Sequence, residues 1–205
     1  MYEPTFSPYP IIETERLILR KPTLRDSEGL FELCRRVETS KFSPWNPHKS
    51  LSETREMIKF KLSNVRKGII PPFFAVEEKE SGRIVGTASF VSADESYKII
   101  EIGYSVLSDC WGMGYGTEAA WGLTGYAFDR MEAQRVFAKV LPDNTASIAV
   151  LEKLGFTFES TVKKGFYFDE TVSDVLIYAI TDEEFYEEFA ECEDENYGIK
   201  ENSEL

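Results

Sequence analysis

Between an apolar run ending near Leu107 and a helix-like run opening near Thr117 lies Trp111-Gly112-Met113-Gly114-Tyr115-Gly116-Thr117-Glu118, with glycine at every second position. Something must approach this backbone closely: glycine has no Cβ, reaches φ > 0 readily and leaves its N–H groups open to a ligand. Ala120, Leu123, Ala127 and Met131 follow at helical spacing, so the loop leads into a helix N-terminus. Unpaired N–H groups and the helix dipole attract anions there. The simplest ligand carries phosphate; a plain tight turn is the alternative that three glycines alone allow.

The rest of the chain decides between these. At 205 residues it is long enough for one domain with a buried core, and 42% hydrophobic with 14% aromatic residues fits a soluble globular protein. No run approaches the ~18 apolar residues needed to span a bilayer. The N-terminus, with Glu3, Pro4 and Pro8, lacks a signal-peptide pattern, which points to the cytoplasm. Cys34, Cys110 and Cys192 are odd in number and without CxxC or His partners, so reduced thiols are expected and no metal. The formal net charge of −13 argues against nucleic acid as a partner. It would suit a cationic substrate, or simply keep the protein soluble.

Read in order, residues 1–10 carry three prolines and form a loose arm. Residues 12–19 read as a first strand, with Leu17 and Leu19 alternating against Arg16, Ile18 and Arg20. Asp26-Ser27-Glu28 opens a helix through Leu30, Phe31, Leu33, Cys34 and Val37. The irregular stretch Lys41-Phe42-Ser43-Pro44-Trp45-Asn46-Pro47-His48 follows, and Ser50 with Glu53 has capping-box spacing for a second helix. A hairpin is expected over 73–77 and 84–90, and a strand over 98–107 feeds the glycine loop. After the long helix come a strand at 135–140 and a helix N-capped by Asn144 and ended by Gly155. Two strands, 156–163 and 172–180, and a short acidic helix over 182–189 close the chain. The order β-α-α-β-β-β-α-β-α-β-β predicts one mixed α/β domain over 11–190, with a disordered acidic tail at 191–205.

Four blocks now stand in sequence: Thr14-Glu15-Arg16-Leu17-Ile18-Leu19-Arg20; Glu101-Ile102-Gly103-Tyr104; the glycine loop; and Asn144-Thr145-Ala146-Ser147 through Lys153-Leu154-Gly155-Phe156. Together, over about residues 11–182, they resemble the GNAT superfamily of acyl-CoA N-acyltransferases. Within it they look like the RimJ/RimL-like branch of ribosomal-protein N-terminal alanine and serine acetyltransferases. The resemblance implies a central, mostly antiparallel sheet of six to seven strands, splayed between strands 4 and 5 and flanked by helices, with acetyl-CoA as the acetyl donor.

Carried over position by position, backbone N–H groups of Gly112, Met113, Gly114, Tyr115, Gly116 and Thr117 would grip the pyrophosphate of the donor. Trp111 stands where the family usually has Gln or Arg, and Gly116 where it often has Ala. Val106 matches the strand position whose backbone pairs with the pantetheine arm, and Asn144 matches the Asn that contacts that arm. Glu101 matches the acidic residue that serves many relatives as base, its alternative being an ion pair with a neighbouring Lys or Arg. The family's Tyr acid falls on Leu151, which cannot donate a proton. The Ser of the branch's Asn-x-x-Ser motif, here Ser147, can act as acid, hydrogen-bond the sulfur, or only cap the helix. Relatives often place a basic residue where this chain has Ile148.

Phe42, Trp45, His48 and Tyr104 are candidates for acceptor contacts, and Phe166, Tyr167 and Phe168 either close over the substrate or staple the hairpin. Cys110 borders the loop without a visible base partner. The expected activity is direct acetyl transfer, in a ternary complex, to a primary amine: a protein N-terminus or a small amine. A non-catalytic acyl-CoA sensor is the alternative, and Leu151 supports it. A dinucleotide-binding reading fits poorly, because the loop lacks the full GxGxxG order and no βαβ unit opens the chain. The expected partners are acetyl-CoA and the amine, without nucleic acid or membrane, for a monomer or homodimer.

Overall fold

The computed structural model describes residues 6, 8–94, 96 and 98–190, with the side chains of 188–190 excepted; Cys192 and the acidic tail lie outside them. Eight strands, β1 (Ile12–Glu13), β2 (Leu17–Arg20), β3 (Phe73–Glu78), β4 (Ile84–Asp94), β5 (Ile99–Val106), β6 (Arg135–Val140), β7 (Thr157–Phe168) and β8 (Thr171–Thr181), form one sheet in the order β1-β2-β3-β4-β5-β6-β8-β7. Every neighbouring pair is antiparallel except β5–β6. The helices are α1 (Ser27–Cys34), α2 (Val37–Ser40), α3 (Leu51–Arg66), α4 (Tyr115–Met131), α5 (Thr145–Lys153) and α6 (Asp182–Ala190).

The sheet has eight strands rather than six or seven because residues 12–19 are not one strand. Thr14 folds the segment back on itself: its N–H donates to Leu17 C=O at 3.0 Å, and its hydroxyl oxygen accepts from Leu17 N–H at 3.2 Å. Ile12 then faces Leu19, and Glu13 faces Ile18. Leu17 and Leu19 point into the core, as their alternation predicts, and are fully buried. The expected loose arm is tied down where it is described: Phe6 stacks on Phe90, and Tyr9 lies edge-on to Phe74 with its hydroxyl between the N–H and C=O of Phe73.

Helices cover both faces. α4 carries Ala119, Ala120, Leu123 and Ala127 into the main core with Phe74, Val76 and Phe90. On the opposite face Leu30 of α1 and Ile58 of α3 pack on Ala75 and Ile84. Adjacent strand residues such as Phe74 and Ala75 therefore serve different layers. The predicted start of α3 is present, with Ser50 accepting from Glu53 N–H at 3.3 Å, but the Glu53 carboxylate takes the N–H of Lys49 rather than that of Ser50.

Among the described residues the one parallel junction is short. β5 and β6 pair at Ile99–Arg135, Ile100–Val136 and Glu101–Phe137, and then diverge. Lys98 C=O accepts from Gln134 N–H on the β6 side at 2.8 Å, whereas Leu107 N–H donates to Val85 on the β4 side at 2.8 Å. By strand alternation, Ile102, Tyr104 and Val106 turn their backbone groups into the gap that opens toward β6. This divergence of β5 from β6 is the splay expected between strands 4 and 5, each number raised by one because residues 12–19 form two strands.

Candidate functional site

The glycine loop leaves β5 through a 3-10 turn, Ser108–Cys110, and enters α4 at Tyr115, two residues earlier than its apolar spacing suggests. Gly114 is the N-cap of α4 at φ +83°, and Gly112 sits at φ +75°. Both occupy the left-handed region that L side chains rarely adopt. Gly116 differs: it lies inside the helix, where a Cβ would stand 3.7 Å from Tyr104 and Val106 and 3.8 Å from Val150, ordinary contact distances. No side chain caps the helix, so its first-turn N–H groups have no intrahelical or side-chain acceptor from the cap. Trp111 ties the loop back to the strand, its indole N–H donating to Val106 C=O at 2.8 Å.

A brace that the sequence reading did not assign holds this loop from behind. Glu118, only 3% exposed, accepts from Thr14 hydroxyl and Arg16 N–H at 2.6 Å each and from Arg16 Nε at 2.7 Å. Arg16 Nη1 donates to Met113 C=O at 2.9 Å, and its guanidinium lies over the Tyr115 ring, whose hydroxyl bonds Glu78. The Thr14-Glu15-Arg16 run thus fixes the carbonyl side of the loop. Its only signal in the sequence was its place among the family blocks.

Across the gap, α5 presents Ser147 in its first turn, with its N–H capped by Asn144 Oδ1 at 3.3 Å. Tyr104, from β5, reaches over the gap so that its hydroxyl lies 3.0 Å from Ser147 Oγ and 3.4 Å from Ser147 C=O. Burial pushes the Tyr104 phenol up to about 12, and the Ser147 contact only partly offsets this. Leu151 is fully buried, and Ile148 packs against the core. Glu101 sits at the last β5–β6 pair, opposite a β4 bulge between Phe90 and Ser92. It is 7% exposed, and Oε2 accepts from Lys139 Nζ at 2.9 Å and Ser92 Oγ at 3.0 Å. Both the ion pair and the closeness to the splay are therefore present.

Beside the start of α5 lies a cleft of about 580 Å³. Its walls include Phe42 and Trp45 from the loop after α2 and Phe166 and Phe168 from the tip of the β7–β8 hairpin. Asp143, Asp169 and Asp174 also line it, together with Lys41; the Asp174 carboxylate is paired with Lys163 at 2.7 Å. Tyr167 faces away and is exposed. His48 is behind the wall rather than in it: its N–H donates to Cys34 C=O at 3.0 Å, and Nδ1 lies 2.8 Å from the hydroxyl of buried Thr54. Cys34 and Cys110 are buried, and burial pushes both thiols up, Cys34 to about 11, so neither is a ready nucleophile.

Residues 16–157 match the family model described as the acetyltransferase (GNAT) domain. The uncharacterized N-acetyltransferase p20 of Bacillus licheniformis is 30% identical over 84% of this chain and 96% of its own. A GNAT-family acetyltransferase from Bacillus anthracis superposes with a TM-score of 0.75 at 27% identity, covering 85% of this chain and 99% of its own. Mycobacterium smegmatis RimJ, solved in complex with CoA-disulfide, has a TM-score of 0.77 at 22% identity, covering 89% and 94%.

Proposed function

The chain belongs to the GNAT acetyltransferase family, and we propose that it transfers the acetyl group of acetyl-CoA directly to a primary amine bound in the aromatic, acidic cleft. The observation that carries this reading is the open edge of β5. Beyond Glu101 its backbone has no β6 partner, and the gap runs from the glycine loop to Ser147. A pantetheine arm is a peptide-like chain that can take the place of the missing strand. In this reading Gly112 to Thr117 hold the pyrophosphate, Val106 and Asn144 the arm, and Ser147 the sulfur.

The chemistry asks little more of the protein. The acceptor must lose a proton before its nitrogen attacks the thioester carbonyl, and the thiolate must then be stabilised as it leaves. Glu101 is the base in this scheme. Lys139 and Ser92 engage Oε2, and Oε1 takes the proton, directly or through water. Asp143 and Asp169 in the cleft wall favour an amine that arrives as a cation, either a protein N-terminus or a small amine. The resemblance to the RimJ/RimL-like branch supports the first of these.

Buried Leu151 in place of the family's Tyr favours a second reading, an acyl-CoA sensor without turnover. Following thiol release from acetyl-CoA across a panel of amines and N-terminal peptides separates the two. The enzyme reading expects release with at least one acceptor, and loss of turnover in Glu101→Gln and Ser147→Ala with CoA affinity kept. Tight CoA binding without release for any amine favours the sensor.

A further inference from the structure

Ser147 alone is a poorly directed donor. A serine hydroxyl rotates, and in the first turn of a helix it can point back at backbone carbonyls as easily as outward. What restricts it here is Tyr104. The Tyr104 oxygen is within reach of both Ser147 Oγ and Ser147 C=O. The phenol carries one hydrogen; Ser147 Oγ at 3.0 Å is a nearer acceptor than Ser147 C=O at 3.4 Å, and a phenol is far more acidic than an alcohol, so the phenol is assigned as the donor to Oγ. With its oxygen accepting from Tyr104, the Ser147 hydroxyl keeps its own hydrogen for another acceptor.

Building on the acetyl-CoA reading above, we propose that Tyr104 is a positioning residue: by donating to Ser147 Oγ across the gap between β5 and β6, it turns the Ser147 hydrogen toward the sulfur of CoA. The thiolate then leaves against a prearranged donor. In the transfer itself the amine nitrogen–carbon bond forms, the carbon–sulfur bond breaks with its electron pair going to sulfur, and the proton that the nitrogen sheds on becoming an amide passes to solvent, balancing the departing thiolate. Ser147 and Tyr104 keep their protons throughout. Burial of the phenol serves this role, since it holds the Tyr104 proton in place to about 12. A Cβ at Gly116 would stand 3.7 Å from the Tyr104 ring, so the ring lies beside the first turn of α4, next to the loop that grips the far end of the same ligand.

The test uses CoA itself and needs no acceptor. The thiol of protein-bound CoA is titrated by thiolate absorbance in the wild type, Tyr104→Phe, Ser147→Ala, Ser147→Thr and the double variant Tyr104→Phe/Ser147→Ala, with CoA affinity measured alongside. Phe keeps the ring packing and removes only the donor. The expected result is a bound thiol more acidic than free CoA, moved back up by about one pH unit, or roughly tenfold in thiolate fraction, in Tyr104→Phe. Ser147→Ala should shift it at least as far, the double variant no further than Ser147→Ala, and Ser147→Thr should retain the wild-type value. An unmoved thiol in Tyr104→Phe with CoA still bound overturns the assignment, as does a Tyr104→Phe shift that persists undiminished in the Ser147→Ala background. Wild-type protein that binds no CoA overturns the acetyl-CoA reading, and this assignment with it.

Discussion

One methyl group separates the roles of Gly114 and Gly116. At Gly114 an L side chain meets φ +83° and a guanidinium nitrogen 3.1 Å from its Cβ, whereas at Gly116 it meets only ordinary contacts. Gly114→Ala should cost about 1–2 kcal/mol in backbone strain and weaken CoA at least tenfold by titration calorimetry while the protein still folds. Gly116→Ala should leave CoA affinity within about twofold and raise the melting temperature, since Ala exceeds Gly by roughly 1 kcal/mol within a helix. The sequence shows three equal glycines; dihedral and neighbour distinguish them, and both are tertiary facts. Arg16 illustrates the same limit. Its role depends on Glu118, 102 positions later. Arg16→Met, which leaves the buried Glu118 with one charged partner fewer, should lower stability by about 1–3 kcal/mol in urea melts and weaken CoA through the loosened Met113 carbonyl.

At the scale of elements, the stretch after α2 is held at His48 by backbone and side chain together. The His48 backbone N–H donates to Cys34 C=O at the end of α1, and its imidazole reaches Thr54 in the first turn of α3, while Phe42 and Trp45 line the cleft from the same stretch. Burial lowers the His48 pKa below its ordinary value near 6.5. The folded state therefore binds this proton less readily than the unfolded chain, so the stability it confers is complete above about pH 6.5 and is lost as pH falls through the folded value. Urea melts at pH 7.5 and 5.5 should show that loss in the wild type and a smaller one in His48→Gln. Sequence reading found the loop and its aromatics from prolines and composition. It could not say that the histidine faces inward, because its partner is decided by how α1 and α3 pack. The β4 bulge beside Glu101 was equally hidden, since bulges arise from strand pairing and leave no periodic trace.

For the whole molecule, element order made the mixed α/β class legible, and the family resemblance the splay. The eighth strand escaped because Thr14 supplies a turn with neither Gly nor Pro to mark it. The sheet is two halves, β1–β5 and β6–β8, whose backbones pair at only three positions, although the main core and the Glu101–Lys139 ion pair also span the junction. A ligand bridging the gap should therefore stabilise the whole fold: CoA at about 100 times its Kd should add about 2.7 kcal/mol and raise the melting temperature, while the same concentration of NAD should not. The gap also has a kinetic signature. Ile102, Tyr104 and Val106 lie in the middle of the sheet, and amide protons at such depth usually outlast those at a sheet's rim in heavy water. Here the order should invert. Without cofactor, their protons should be lost sooner than those of Gly103 and Ser105, which alternate with them on the same strand, and the sawtooth along β5 should flatten once the groove is filled.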